Sequence, residues 1–224
     1  TEIARLILWA ESSSGFGNDP KKNTETLKEI ATEVQRLDAA FLISGDRPSS
    51  PGEFENYGIF IDERGEISGE YLKQHPVPFG EYIPFRKYLD WIPPLSLVPR
   101  DMVRGIQQQV FTTNKNEIKI SPVISFEGSF DRYIRRSVVQ GAEVVVILTN
   151  QASYGESGMS DQFILMSRAN AISNNRDIAH AAITGKSAFI SGIDGDIYSS
   201  TGLFKDAVLT EQIKTSNKLT LYTR

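Results

Sequence analysis

Cysteine is absent from this sequence of 224 residues. Its absence excludes disulfides, thiolate metal sites and a thiol nucleophile. Histidine is nearly absent too. With only 2 of them, a His-based metal site is not expected. No apolar run approaches the roughly 18–20 residues needed to cross a bilayer. The first ten residues do not read as a signal peptide, because their apolar part is short and is bracketed by Glu2 and Glu11. No block of like charge occurs, and 24 Lys and Arg against 28 Asp and Glu leave a formal net charge of -4. That balance argues against nucleic acid as a partner. There is no internal repeat and no low-complexity tract. No initiator Met opens the chain, which is expected to be an excised domain.

What the sequence does hold is an alternation of strand and helix signals. A 40% hydrophobic fraction suits a globular chain of one large domain or two small ones. Ile3–Trp9 reads as a buried strand. Thr24–Leu37 carries apolar residues at Leu27, Ile30, Ala31, Val34 and Leu37, the spacing of a helix. Phe41–Gly45 reads as the next strand, and Asn56–Ile61 pairs with Ile67–Gln74 as a hairpin across Asp62-Glu63-Arg64-Gly65. Strands are expected at Val110–Thr113, Ile118–Ser125, Glu143–Leu148, Ile178–Ile183, Ser187–Ser191 and Ile197–Ser199, with helices over Phe130–Gln140 and Gln162–Asn174. This order implies an α/β layered fold with apolar central strands.

Three stretches carry chemistry. Leu6-Ile7-Leu8-Trp9-Ala10-Glu11 is an apolar strand ending on a carboxylate, and strand ends are where α/β folds place their sites. Taken alone, Glu11 reads first as the cap of a helix start, since three serines follow. Lys73-Gln74-His75-Pro76-Val77-Pro78-Phe79-Gly80-Glu81-Tyr82-Ile83-Pro84 is a loop with few backbone choices, and it sets an amine, an imidazole and a carboxylate close together. Val123-Ile124-Ser125-Phe126-Glu127 is a second apolar strand, ending on a hydroxyl and a carboxylate. From Phe85 to Val98 the chain is dense in aromatics and prolines. That segment reads either as a cover over the core or as an arm that meets lipid.

Strand–Glu, loop–Lys, strand–nucleophile is the order of the Glu–Lys–Cys triad of the nitrilase superfamily. Within it, Tyr71-x-Lys73-x-His75-x-Val77-Pro78-Phe79-Gly80-Glu81-Tyr82-x-Pro84 resembles the apolipoprotein N-acyltransferase family. Thr149-Asn150-Gln151-Ala152-Ser153-Tyr154-Gly155, Gln162, Arg168, Ala171, Thr184-Gly185-Lys186-Ser187-Ala188 and Leu221-Tyr222-Thr223-Arg224 resemble further family segments, so the likeness runs along nearly the whole chain. Three positions depart from the pattern. Ser125 stands at the cysteine, Ala10 at the proline of Trp-Pro-Glu, and Ser173 at the glutamate of Ala-Ile-Glu. Ser125 is either introduced by design or a natural divergence.

The resemblance implies one nitrilase-like catalytic domain over 1–224, an α-β-β-α sandwich truncated at both termini. It implies Glu11 as general base, Lys73 and the Phe126 N–H as oxyanion donors, and Ser125 at the nucleophile position. Glu81 would orient Lys73 or the base, Glu127 would support the nucleophile's loop, and Asn150 would tie the adjacent strand end into the site. His75 is expected to fix the loop rather than to catalyse. The implied activity moves a fatty acyl group from a phospholipid donor to the N-terminal amine of a diacylglyceryl-cysteine lipoprotein. It needs no metal or organic cofactor. It would take place at the cell membrane, on the outer face, and this serine form is expected to be inactive. The alternatives are a nitrilase-type amidase for small amides and a degenerate, non-catalytic paralogue that binds lipid or lipoprotein.

Overall fold

The computed structural model describes residues 4–89 and 91–224. Ile3, the start of the first expected strand, and Asp90, inside the aromatic segment, lie outside them. The first sheet holds β1 (Leu6–Leu8), β2 (Ala40–Pro48), β3 (Glu53–Ile61) and β4 (Ile67–Leu72) in that order, with β5 (Asp101–Met102) pairing parallel to the start of β3. The second sheet runs β11 (Ile197–Ser200), β10 (Ala188–Ile190), β9 (Ile178–Ile183), β8 (Val144–Asn150), β7 (Lys119–Ile124), β6 (Phe111–Thr112). Its centre, β7–β8–β9, is parallel, and its flanks are antiparallel.

Side-chain alternation builds the layers. In β2, Ala40 and Leu42 face the second sheet and cluster with Phe60 and Tyr71 of their own sheet and with Ile124, Val146 and Leu148 of the second. Phe41 and Ile43 face the other way, onto Ile30 and Val34 of helix α1 (Thr24–Leu37). In β8, Val146 and Leu148 point inward, whereas Val145 and Ile147 pack under α3 (Asp131–Val139) and α4 (Met159–Asn174). The result is helix, sheet, sheet, helices: a mixed α/β sandwich with its densest core between the sheets. The Val-Val-Val-Ile-Leu run of β8 is apolar at every position because both of its faces are covered.

Two expectations change. The first strand is only half-buried, because β1 is paired to β2 alone and forms one border of its sheet. Glu11 caps no helix. It opens a turn, and α1 is capped instead by Asn23, whose side chain accepts from the Glu25 and Thr26 N–H groups. The aromatic segment contains a short helix, α2 (Arg86–Leu89), and a 3-10 turn over Pro93–Leu97.

Candidate functional site

The site lies where β1, β4, β7 and β8 end. Lys73 follows β4 and is fully buried. Its main chain is held on both sides: its N–H donates to the Asn56 carbonyl (3.0 Å), and its carbonyl accepts from the Gly105 N–H (2.8 Å). Gly105 can approach this closely only because it lacks a Cβ, which would stand 2.1 Å from the Leu72 carbonyl oxygen. The Lys73 ammonium donates to Glu11 Oε1 (2.9 Å) and to Glu81 Oε1. Burial pulls the amine's pKa down, but the two carboxylates outweigh it and hold the group above its ordinary value.

Glu11 is itself 4% exposed. Its Oε1 also accepts from Asn56 Nδ2 (3.0 Å), and its Oε2 accepts from the Asn150 N–H (2.8 Å). Asn150 therefore ties the end of β8 to Glu11 through its backbone, while its side chain turns to the Ala152 N–H (3.0 Å). Glu81 accepts from the Val77 N–H through Oε2 (2.8 Å), which closes the proline-rich loop on itself.

On the second sheet, β7 is buried through Ile124, and the chain then turns sharply at Ser125. Ser125 has φ 54°, in the left-handed region that a residue with a Cβ rarely occupies. Its hydroxyl has no hydrogen-bond partner among the described residues, and neither has the Phe126 N–H that follows. Glu127 fastens this turn. Fully buried, it accepts through Oε2 from the Ile124 N–H (2.7 Å) and the Tyr71 hydroxyl (2.7 Å). Through Oε1 it accepts from the N–H groups of Gln74 and His75 (3.0 Å for His75). One carboxylate thus links the Ser125 turn to the two residues after Lys73, across the two sheets. Burial pushes the Glu127 pKa up, against the pull of those bonds and of Lys73. The His75 ring sits among Phe126, Phe130 and Tyr133, within 3.3 Å of Arg132.

Three participants have no site role in the sequence reading: Asn56, Asp46 and Tyr71. Asp46 continues the inward-facing row Ala40, Leu42, Ser44 of β2, and that parity is the signal that could have found it. Burial raises the Asp46 pKa to about 6, with a Ser12 hydrogen bond pulling the other way and the Glu11 charge adding to the rise. Among the described residues, no group of His, Cys, Asp and Glu is arranged to hold a metal.

The family model for carbon-nitrogen hydrolases matches residues 2–217. The chain belongs to the carbon-nitrogen hydrolase family. Among curated relatives it is similar to apolipoprotein N-acyltransferases. It is 29% identical to that of Geobacter metallireducens, over 98% of this chain and 42% of that protein. To that of Mycolicibacterium smegmatis it is 30% identical, over 98% and 37%. The chain therefore spans less than half the length of these relatives. Among solved structures it is similar to a serine-for-cysteine mutant of a nitrilase-superfamily amidase from Nesterenkonia, with TM-score 0.66 and 18% identity, over 89% of this chain and 75% of that one. That likeness bears on the fold, which is the nitrilase fold.

Proposed function

We propose that residues 1–224 form one catalytic domain of an N-acyltransferase that moves a fatty acyl group from a phospholipid to the α-amine of a diacylglyceryl-cysteine lipoprotein. The observation that carries this reading is the buried Glu11–Lys73–Glu81 cluster, fastened through Glu127 to the strained turn at Ser125. Glu11 is the general base. It takes the proton of the nucleophile at position 125 as that atom attacks the donor ester carbonyl. Lys73 and the Phe126 N–H receive the oxyanion. The ester bond breaks, the lysophospholipid oxygen takes the proton back from Glu11, and the acyl group stays on residue 125. The acceptor amine then attacks the acyl-enzyme, loses a proton to Glu11, and leaves as the amide while residue 125 regains its proton.

Ser125 stands where the family pattern has cysteine, and this form turns over slowly. A hydroxyl is several pK steps harder to ionise than a thiol, and each step is worth about 1.4 kcal/mol. The rate loss is then several orders of magnitude. Partners are the phospholipid donor, the lipoprotein acceptor and a membrane surface on the outer face of the cell membrane. Exposure of Phe85, Tyr88, Trp91 and Leu97 supports the membrane surface.

The test is intact-mass detection of an acyl-enzyme after incubation with phospholipid, for the serine form and Ser125→Cys side by side in the full-length membrane protein. The expected outcome is an adduct that forms rapidly with Ser125→Cys and scarcely with serine. Equal acylation by the serine form would make Ser125 a competent nucleophile. No adduct in either form would favour a non-catalytic binding module.

A further inference from the structure

Asn56 is 3% exposed, and its amide is half-satisfied. Nδ2 donates to Glu11 Oε1, but Oδ1 is buried with no donor facing it. Directly opposite in the antiparallel ladder of β2 and β3 stands Asp46, and its Oδ1 is likewise buried and unpartnered. Cβ atoms of such directly opposed residues are about 4.5–5.5 Å apart, and their side chains share a face. That face is the inward one, since Leu42 and Phe60, further along the same two strands, belong to the core between the sheets. Asn56 is buried and Asp46 partly buried, and on their shared face two buried acceptor oxygens lie side by side, each without a hydrogen. Leaving both empty is costly, because a buried acceptor without a donor keeps its full desolvation penalty. One proton satisfies both.

We infer that Asp46, below its own titration midpoint, carries a proton which it donates to Asn56 Oδ1, so that one proton satisfies Asp46 and Glu11 together through the Asn56 amide and Asp46 is a positioning residue for Glu11. An amide has one donor end and one acceptor end. With one group at each end, it serves a carboxylate at Nδ2 and a carboxylic acid at Oδ1, but not a carboxylate at both ends. In the observed orientation Nδ2 points to Glu11, so Glu11 is the ionised partner and Asp46 holds the proton. Ionising Asp46 would set a carboxylate against Asn56 Oδ1. The amide would then turn its Nδ2 to Asp46 and withdraw it from Glu11.

The charged and polar groups around Asp46 agree. Glu11, beyond β1, and Glu81, in the loop after β4, add negative charge that favours a neutral Asp46. Lys73, beyond β4, and the Ser12 hydrogen bond oppose it, and burial prevails. The arrangement also limits charge. Glu11 and Glu81 pair with the Lys73 ammonium directly, and a neutral Asp46 adds no further negative charge beside them.

The inference rests on the reading of Glu11 as the base, but its first test does not. In the 224-residue chain, the Asp46 carboxyl carbon and the Asn56 side-chain amide are followed by NMR from pH 4 to 9. The expected result is one shared midpoint for both signals, above the ordinary carboxylate range. In Asp46→Asn, whose new amide can donate to Asn56 Oδ1 at any pH, the Asn56 signal should stay in its low-pH position throughout. An Asp46 midpoint in the ordinary range near 3.9, or an Asn56 amide indifferent to pH in the parent, overturns the pairing.

The second test is acylation by Ser125→Cys in the full-length protein, run at pH 5, where Asp46 is protonated. Adding Asp46→Leu should slow acyl-enzyme formation at least tenfold, and adding Asp46→Asn instead should restore most of the rate. Equal rates for the leucine and asparagine variants would overturn the positioning role. Absence of acylation in every form would count against acyl transfer, and the titration would still decide the proton-sharing pair.

Discussion

Lys73 and Trp91 lie close in sequence and at opposite extremes of burial. The lysine is 0% exposed and the tryptophan 79%. Folding alone favours the reverse, since an ammonium is costly to bury and an indole rewards burial. The Lys73 loop manages the cost with two carboxylates and its own backbone, held by Gly105 and Asn56. The segment from Phe85 leaves its apolar groups uncovered while its base is pinned polar-fashion: the Arg86 guanidinium donates to both Asp101 oxygens (2.9 and 2.6 Å) and to the Val98 carbonyl (2.8 Å). One region stores charge inside, and the other displays hydrocarbon outside. Both are departures that a stability-driven sequence would not make, and they adjoin each other in the chain.

The comparison breaks most visibly at the buried end. Lys73→Ala leaves Glu11 buried and Glu81 partly buried around an empty position, and removing one member of a buried ion pair costs about 3–5 kcal/mol. The expected outcome is a large drop in the denaturant midpoint with little change in slope. A change within about 0.5 kcal/mol would mean that water reaches and screens the carboxylates.

A second buried group sharpens the contrast through pH. His180 lies under α4, with Nδ1 3.0 Å from the Ser167 hydroxyl and Nε2 unpartnered. Burial depresses its pKa to about 4. The unfolded chain titrates near 6.5, so between 6.5 and 4 the unfolded state binds more protons than the folded one. Stability from the neutral ring is therefore complete above pH 6.5 and is lost as pH falls through 4. At about 1.4 kcal/mol per pH step, the loss is about 3.5 kcal/mol. His180→Gln should flatten that part of the stability profile, measured by urea denaturation from pH 4 to 7. An unchanged profile would place the acid sensitivity elsewhere.

Much of this was legible in the sequence because periodicity reports burial. Thr24–Leu37 is a helix at the residues its apolar spacing marks, and the hairpin turns at Asp62–Gly65 as its turn residues demand. The half-burial of β1 was not legible, because Leu-Ile-Leu reads alike at the edge of a sheet and at its centre. The Asp46–Asn56 pair was also hidden. Its meaning depends on strand register, and Asp46 follows Gly45 in a stretch that looks like the start of a turn. Glu127 lay in plain view, but its reach to Gln74 and His75 depends on how two sheets meet, which no local pattern encodes. The exposed aromatics were the converse case. Density of Phe, Tyr and Trp is the same signal whether the rings face in or out.

The smallest stability effect belongs to the exposed end, and it tests that last ambiguity. Trp91 donates its indole N–H to the Tyr88 carbonyl within its own segment (3.0 Å) and leaves its ring in solvent. Trp91→Ser should therefore change folding stability by no more than about 0.5 kcal/mol, as exposed substitutions usually do. Binding to phospholipid vesicles should respond far more. A tryptophan buries roughly 150–250 Å² when covered. If half of that enters the lipid interface at about 25 cal/mol per Å², the loss is about 2 kcal/mol, or more than tenfold in affinity. Cosedimentation with vesicles, run beside urea denaturation, reads both quantities on the same protein. The combination expected is intact folding with weakened membrane binding, and Phe85→Ser should repeat it. A destabilised fold with unaltered vesicle affinity would mean that these rings cover the protein after all, and the contrast with Lys73 would reduce to one buried lysine.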